Sequence, residues 1–131
     1  MRFAVLGSGS RGNATLVASN DTYVLVDCGF SLRETERRLD RLGVSGKQLS
    51  AILVTHEHAD HVHGVGLLSR RYDVPVYLSD GTLRGMRKPV EAGLRLVGGQ
   101  GLRIGGLGID VVSVALRPRG GPVVERIAGV A

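Results

Sequence analysis

Thr55-His56-Glu57-His58-Ala59-Asp60-His61-Val62-His63 holds all four histidines of this 131-residue chain, with two carboxylates between them. Chance scatter does not produce such a window, and apolar packing gives no reason for it. Neutral imidazole and carboxylate are the common donors to zinc and related divalent ions. His56 and His58 are one residue apart, so on a helix they would point roughly 200° away from each other and could not share an ion. The segment is therefore expected to be a loop or strand end. The helical H-E-x-x-H pattern fails, because Asp60 stands where its second histidine should be. What remains is H-x-H-x-D-H, with His56 and His58 turned toward one ion and Asp60 and His61 toward a second. Two-metal hydrolytic sites hold their ions about 3.5–4 Å apart, with a shared hydroxide as nucleophile.

The flanks fit this placement. Ser50-Ala-Ile-Leu-Val-Thr55 is a short apolar run of the buried-strand type, and residues 64–72 read as a helix. The donors thus fall at the carboxyl end of a strand, the edge that ligands favour in open α/β sheets. Upstream, Arg2–Leu6, Ala14–Ser19 and Thr22–Val26 read as strands, the last two joined by a tight hairpin at Asn20-Asp21. Ser31-Leu-Arg-Glu34 has the form of a capping box and predicts a helix ending at Gly43. Downstream, Ala51–Thr55 and Val76–Ser79 bracket the 64–72 helix, Thr82–Arg87 suggests a short helix, and Leu94–Val97, Leu102–Ile104 and Ile109–Val114 return to strand.

His56-x-His58-x-Asp60-His61 after an apolar strand resembles the signature of the metallo-β-lactamase-fold hydrolases. Leu6-Gly-Ser-Gly-Ser-Arg-Gly-Asn13 and Val26-Asp-Cys-Gly29 narrow the resemblance to the WalJ/YycJ-type subgroup of metal-dependent nucleases or phosphodiesterases. The likeness runs from about Met1 to about Val114. It implies an α/β fold, the αββα sandwich of that family, of which this chain matches the N-terminal half. It also implies that His56 and His58 bind one divalent ion and Asp60 and His61 another, zinc being expected and manganese the alternative. Asp60 would be the catalytic carboxylate, orienting the hydroxide or moving its proton, and Asp27 would support the site from behind. DNA or another phosphodiester is the implied substrate.

The chain also departs from that family. The third histidine expected for the first ion belongs near Leu116-Arg-Pro-Arg-Gly-Gly-Pro122, yet no histidine follows His63 and no aspartate follows Asp110. Residues 1–83 carry nine Lys/Arg against nine Asp/Glu, whereas residues 84–131 carry eight against three and so account for the net charge of +5. The expectation is one partial, truncated domain over residues 1–131, with an atypical Arg/Gly/Pro-containing tail at 115–131 such as a shifted reading frame would produce. Strand Ile109–Val114 would then be an open edge beside an uncovered apolar face. An apolar content of 43% with 22% charged residues argues against disorder. Neither a signal peptide nor a membrane span is expected, and the single cysteine cannot close an internal disulfide, which together suggest a cytoplasmic protein.

Gly7-Ser-Gly-Ser-Arg-Gly12 admits two readings. As G-x-G-x-x-G after a strand, with Asp27 twenty residues beyond Gly7, it suggests a dinucleotide-binding start through Gly7, Gly9 and Gly12. That reading needs a crossover helix before Asp27, where Thr15, Val17 and the turn pair favour a hairpin instead. The preferred reading is a tight turn beside the metals in which Ser8, Gly9, Ser10, Gly12 and Asn13 bind a phosphate through backbone N–H groups. Arg33, Arg37 and Arg41 recur along one helix face, but Glu34, Glu36 and Asp40 offset them, so a solvated face is expected. His63 is read as a polar residue at a helix start, Glu57 as a solvent-facing spacer and Cys28 as packing. The function expected is metal-dependent hydrolysis of phosphodiester or related ester bonds, incomplete in this chain. The non-enzyme alternative is a truncated or pseudo-enzyme product that binds metal without turnover.

Overall fold

The computed structural model describes residues 1–86, 94–96, 102–105, 107–109, 111–115 and 123–127. Three strands, β1 (Arg2–Gly7), β2 (Ala14–Ser19) and β3 (Thr22–Val26), form an antiparallel meander. From β3 onward the pairing is parallel, through β4 (Leu49–Leu53), β5 (Val76–Leu78) and β6 (Leu94–Leu96), so the sheet order follows chain order. Helices carry the parallel crossovers: α1 (Leu32–Asp40) before β4, α2 (Ala59–Val62) and α3 (Val65–Tyr72) before β5, and α4 (Asp80–Gly85) before β6. Parallel neighbours need such crossovers, whereas antiparallel ones need only a turn.

Strand alternation divides the core in two. Leu16, Leu25, Ile52, Val76 and Leu78 face the helices and pack with Leu39, Val65 and Leu68. Val24 and Ala51 face the other way, against Ile104 and Leu107. Those two residues belong to a hairpin of β7 (Leu102–Ile104) and β8 (Leu107–Ile109). Complete burial of an aliphatic side chain such as Leu25, Leu39 or Ile52 stabilises the fold by about 1.5–3 kcal/mol.

Several expected boundaries move. The helix after Ser31 forms, with the Ser31 hydroxyl accepting from Glu34 N–H, but the Glu34 carboxylate does not complete the box. It holds Arg37 and Arg38 at 2.7 Å each. A reciprocal box forms instead at Ser45 and Gln48, around a 3-10 turn (Gly46–Gln48). The predicted strand Ala51–Thr55 is observed two residues earlier, because Thr55 N–H turns out of the ladder to donate to Asp27 Oδ1 at 2.8 Å. The predicted 64–72 helix is observed as α3 with Gly64 as its N-cap, preceded by the unpredicted turn α2, and the predicted Thr82–Arg87 helix starts at Asp80 under a Ser79 cap, with residue 87 outside the described residues.

The single strand predicted over Ile109–Val114 is two, β8 and β9 (Val111–Ala115). β9 pairs along its length with β10 (Val123–Ile127) in a sheet of two strands, so the 115–131 segment contains a regular strand, while the other side of β9 has no strand partner among the described residues. The edges of the large sheet are β1 and β6, and on β1 Phe3 is 75% and Val5 57% exposed. The dinucleotide-binding alternative is overturned, since β2 returns antiparallel to β1 directly after Gly12 and no crossover helix lies between Gly12 and Asp27. Among the described residues no helix is long and apolar enough to cross a membrane.

Candidate metal centre

Residues 54–58 have no regular structure and carry His56 and His58 past the end of β4, as the spacing predicts. Asp60 and His61 differ from that expectation, since they ride on the single turn of α2. His63 caps the end of that turn, and Glu57 is no plain spacer: its carboxyl group lies so near Gly85 that a Cβ there would come within 2.8 Å.

A backbone lattice fixes this turn beneath the sheet edge. Asp27 N–H donates to Leu53 O at 2.7 Å, Cys28 N–H to His61 O at 2.8 Å, Gly29 N–H to Asn13 O at 3.0 Å, Gly64 N–H to Cys28 O at 2.9 Å and Asn13 N–H to Asp60 O at 2.8 Å. Residues 27–29 therefore extend β3 into a slot between the β1–β2 loop and α2. Gly29 has to be glycine for that approach, because a Cβ would stand 1.7 Å from Asp60 O. Cys28 fills the slot as packing; burial pushes its thiol up to about 11, and Thr35 Oγ1 is its buried neighbour at 3.3 Å.

Asp27 organises the imidazoles. Its side chain is buried, and its backbone takes the left-handed φ of 61°, which aspartate tolerates better than most residues. Oδ2 accepts from His61 Nδ1 at 2.7 Å and from Thr55 Oγ1 at 2.7 Å. A carboxylate only accepts, so His61 carries its proton on Nδ1 and presents the Nε2 lone pair. Thr55 has a single hydroxyl proton, and Asp27 takes it. The 3.0 Å contact between Thr55 Oγ1 and His56 Nδ1 must then be donated by the histidine, which leaves His56 Nε2 as a lone pair too. Ligating histidines adopt this state, their other ring nitrogen donating to a carboxylate or its relay. The role of Thr55 was missed in the sequence because a threonine before a histidine carries no periodicity or motif signal by itself.

Asp60 is held from the β1–β2 loop. Asn13 Nδ2 donates to Asp60 Oδ2 at 3.0 Å, and Asp60 Oδ2 lies 3.6 Å from His61 Nε2. Two donors on one tetrahedral zinc, each about 2.1 Å from it, stand about 3.4 Å apart. The Asp60–His61 pair therefore fits a shared ion. The three rings do not sort into two groups: His56 lies 3.9 Å from His61 and 4.7 Å from His58, centroid to centroid. Among the described residues no three His, Cys, Asp or Glu side chains converge as an ion-holding group.

The loop expected to bind phosphate is largely self-bonded. Gly9 N–H donates to Asn13 Oδ1, Gly12 N–H to Gly9 O and Asn13 N–H to Asp60 O, so Ser8, Ser10 and Arg11 are the loop positions whose N–H groups have no partner among the described contacts. Phe30 packs on the loop, leaving no room for a Cβ at Gly7 or Gly12, and the Arg38 guanidinium lies 4.1 Å over its ring.

The metallo-β-lactamase superfamily model matches residues 7–129, past the Val114 limit of the sequence resemblance, and the chain belongs to that superfamily. It is 43% identical over 86 residues to the exodeoxyribonuclease YycJ of Bacillus anthracis, covering 66% of this chain and 33% of that protein. To the exodeoxyribonuclease WalJ of Streptococcus pneumoniae it is 38% identical over 85 residues, covering 65% and 32%. A ribonuclease of Thermus thermophilus is 35% identical over 88 residues, covering 66% and 20%. The chain thus spans a third or less of the length of these curated relatives. Among solved structures, the subclass B3 metallo-β-lactamase MEM-A1 from a soil metagenome superposes with a TM-score of 0.69 at 22% identity, over 95% of this chain and 58% of that one. At that identity the likeness speaks for the fold alone, that of the αββα sandwich.

Proposed function

We propose that this chain carries the metal-binding half of a nuclease-like hydrolase acting on phosphodiester or related ester bonds. The observation that supports it most is the hydrogen-bond order around Asp27, which leaves a lone pair on His56 Nε2 and another on His61 Nε2, 3.6 Å from Asp60 Oδ2. His56 and His58 would hold one divalent ion, Asp60 and His61 a second, zinc being favoured over manganese by the imidazole share. Bound there, such ions supply a Lewis acid and a nucleophilic water at neutral pH. The chain's residues do the rest: Asp27 keeps its two imidazoles in the ligating tautomer, and Asp60 orients the attacking water or takes its proton. The exposed edge of the β1–β2 loop at Ser8 and Ser10 faces a phosphate, while Gly9, Gly12 and Asn13 shape the loop. The deoxyribonuclease relatives favour DNA as the substrate, and a cytoplasmic location agrees with it. A metal-binding chain without turnover is the second reading, favoured by the confinement of every histidine to residues 56–63.

Elemental analysis after gentle purification tests the site. Zinc or manganese should be found, and metal content unchanged by His56→Ala with His58→Ala would refute it. Incubating the metal-loaded chain with single- and double-stranded DNA separates the two readings: cleavage abolished by Asp60→Asn supports the hydrolase, whereas bound metal without cleavage supports the second.

A further inference from the structure

We infer that Asn13 is the positioning residue of Asp60, setting the spacing of the Asp60–His61 pair from the β1–β2 loop. Its side-chain amide is braced on both sides. Toward the loop, Oδ1 accepts from Gly9 N–H at 3.0 Å and Nδ2 donates to Gly9 O at 2.9 Å. Toward α2, Nδ2 donates to Asp60 Oδ2 at 3.0 Å and more weakly to Asp60 O at 3.3 Å. The Asn13 backbone adds bonds to Asp60 O and from Gly29 N–H. Few side chains could do this. An amide offers an acceptor and a two-proton donor in one plane, so it can grip the N–H and C=O of one residue on one side and a carboxylate on the other. Aspartate in its place would have nothing to donate.

The consequence is chemical. A free aspartate on a one-turn helix samples several rotamers, and most would carry its oxygens away from His61. With Asn13 on Oδ2, that oxygen stays 3.6 Å from His61 Nε2 and keeps a second lone pair for an ion. Asp27 does the same for His61 through Nδ1. Each member of the pair is thus fixed by one residue of another element, and Asn13 also ties Asp60 to the loop proposed to meet phosphate. Removing partners of this kind typically weakens metal binding about 10–100-fold.

This inference rests on the metal reading above, so its test has an arm without metal. In the metal-free chain, NMR should find the Asn13 side-chain amide protons slowed in exchange with solvent. Asp60→Ala should speed exchange of the proton that faces Asp60 Oδ2 and leave the one on Gly9 O slowed; fast exchange of both in the wild-type chain would overturn the inference whether or not the chain binds metal. With metal, chelator competition for Zn2+ and the visible band of Co2+ should show Asn13→Ala weakening binding at least tenfold. In an Asp60→Ala background the same change should cost less than twofold, because its target is already gone. Losses that multiply in full would mean Asn13 acts on the fold and not through Asp60. Should Asn13→Ala fail to fold, Asn13→Asp keeps the bond from Gly9 N–H and the side-chain volume but cannot donate to Asp60. Wild-type affinity in that variant would equally overturn the inference.

Discussion

The two ends of the histidine window are built differently. Asp60 and His61 ride on a helical turn whose backbone is bonded to β3 and the β1–β2 loop, and each side chain has a partner from elsewhere in the fold. His56 and His58 lie in an irregular stretch, where the described side-chain contacts are the Thr55 hydroxyl on His56, an edge-on ring pair between the two and a tilted ring contact of His56 with His61. The difference separates what the chain can preorganise from what it leaves adjustable. Asp60 and His61 are each held by a side chain of another element, His56 is held through Thr55, and the His58 ring has no hydrogen-bond partner among the described contacts. Ligand sites depend on such supporting contacts as much as on the donors themselves.

The largest effect should come from the slot under the braced end. Gly29→Ala drives a methyl into Asp60 O, a backbone atom that cannot swing aside. Relief requires α2 to move off the sheet, breaking the bonds of Cys28 and Asn13 to that turn. We expect a loss of about 3 kcal/mol in urea unfolding. A change below 1 kcal/mol would mean the turn is loosely held and the contrast between the two ends is false.

Asp27→Asn should come next. Asparagine accepts the same left-handed backbone, so the change reports on charge and acceptors alone. The Asp27 carboxylate receives three bonds, from Thr55 N–H, Thr55 Oγ1–H and His61 Nδ1–H, and one amide oxygen cannot replace them in that buried position. A loss of about 2 kcal/mol is expected, together with metal affinity reduced about 10–100-fold. If affinity stays near wild type while stability falls, Asp27 holds the fold and has no say over the imidazoles.

How much of this the sequence discloses follows the same divide. Strand alternation marks β2 and β3, apolar content marks β4, and donor chemistry marks the window, because each is a local property. The brace is not local. Asn13 and Asp60 are 47 residues apart, and neither the loop glycines nor the H-x-H-x-D-H spacing says that an amide should meet that carboxylate. α2 is a single turn, too short for its periodicity to be read. The cap at Ser45 went unread although Gln48 completes it in sequence, because no apolar helical run follows. β10 was missed for another reason: Val-Val-Glu-Arg-Ile has no consistently apolar face, and its pairing with β9 is made by backbone groups.

The histidines themselves allow a finer comparison. His61→Ala strips a partner from a buried carboxylate and should cost about 1 kcal/mol, whereas His56→Ala and His58→Ala should each stay within about 0.5 kcal/mol. All three should lower metal uptake. Measuring stability and zinc content on the same samples tests the separation directly, and equal destabilisation by His58→Ala and His61→Ala would erase the distinction between the two ends.

The smallest effect lies at the outer layer of the braced end. Arg38 covers Phe30, donates to Leu6 O beside the β1–β2 loop and is held in turn by Glu34, which also binds Arg37. Hydrogen bonds from Arg37 and then Arg38 lower the Glu34 carboxyl from 4.5 to about 2. A group acidified by folding stabilises the folded state above its unfolded pKa, and that contribution disappears as pH falls through the folded value. The stability difference between wild type and Glu34→Gln should therefore be constant above pH 4.5 and shrink toward zero near pH 2. The cluster is open to solvent on its Arg37 side and half-buried at Glu34 and Arg38, so the difference should be small and should fade in high salt. A difference that persists unchanged at pH 2 would show that Glu34 acts through packing, and that Arg38 holds the loop without it.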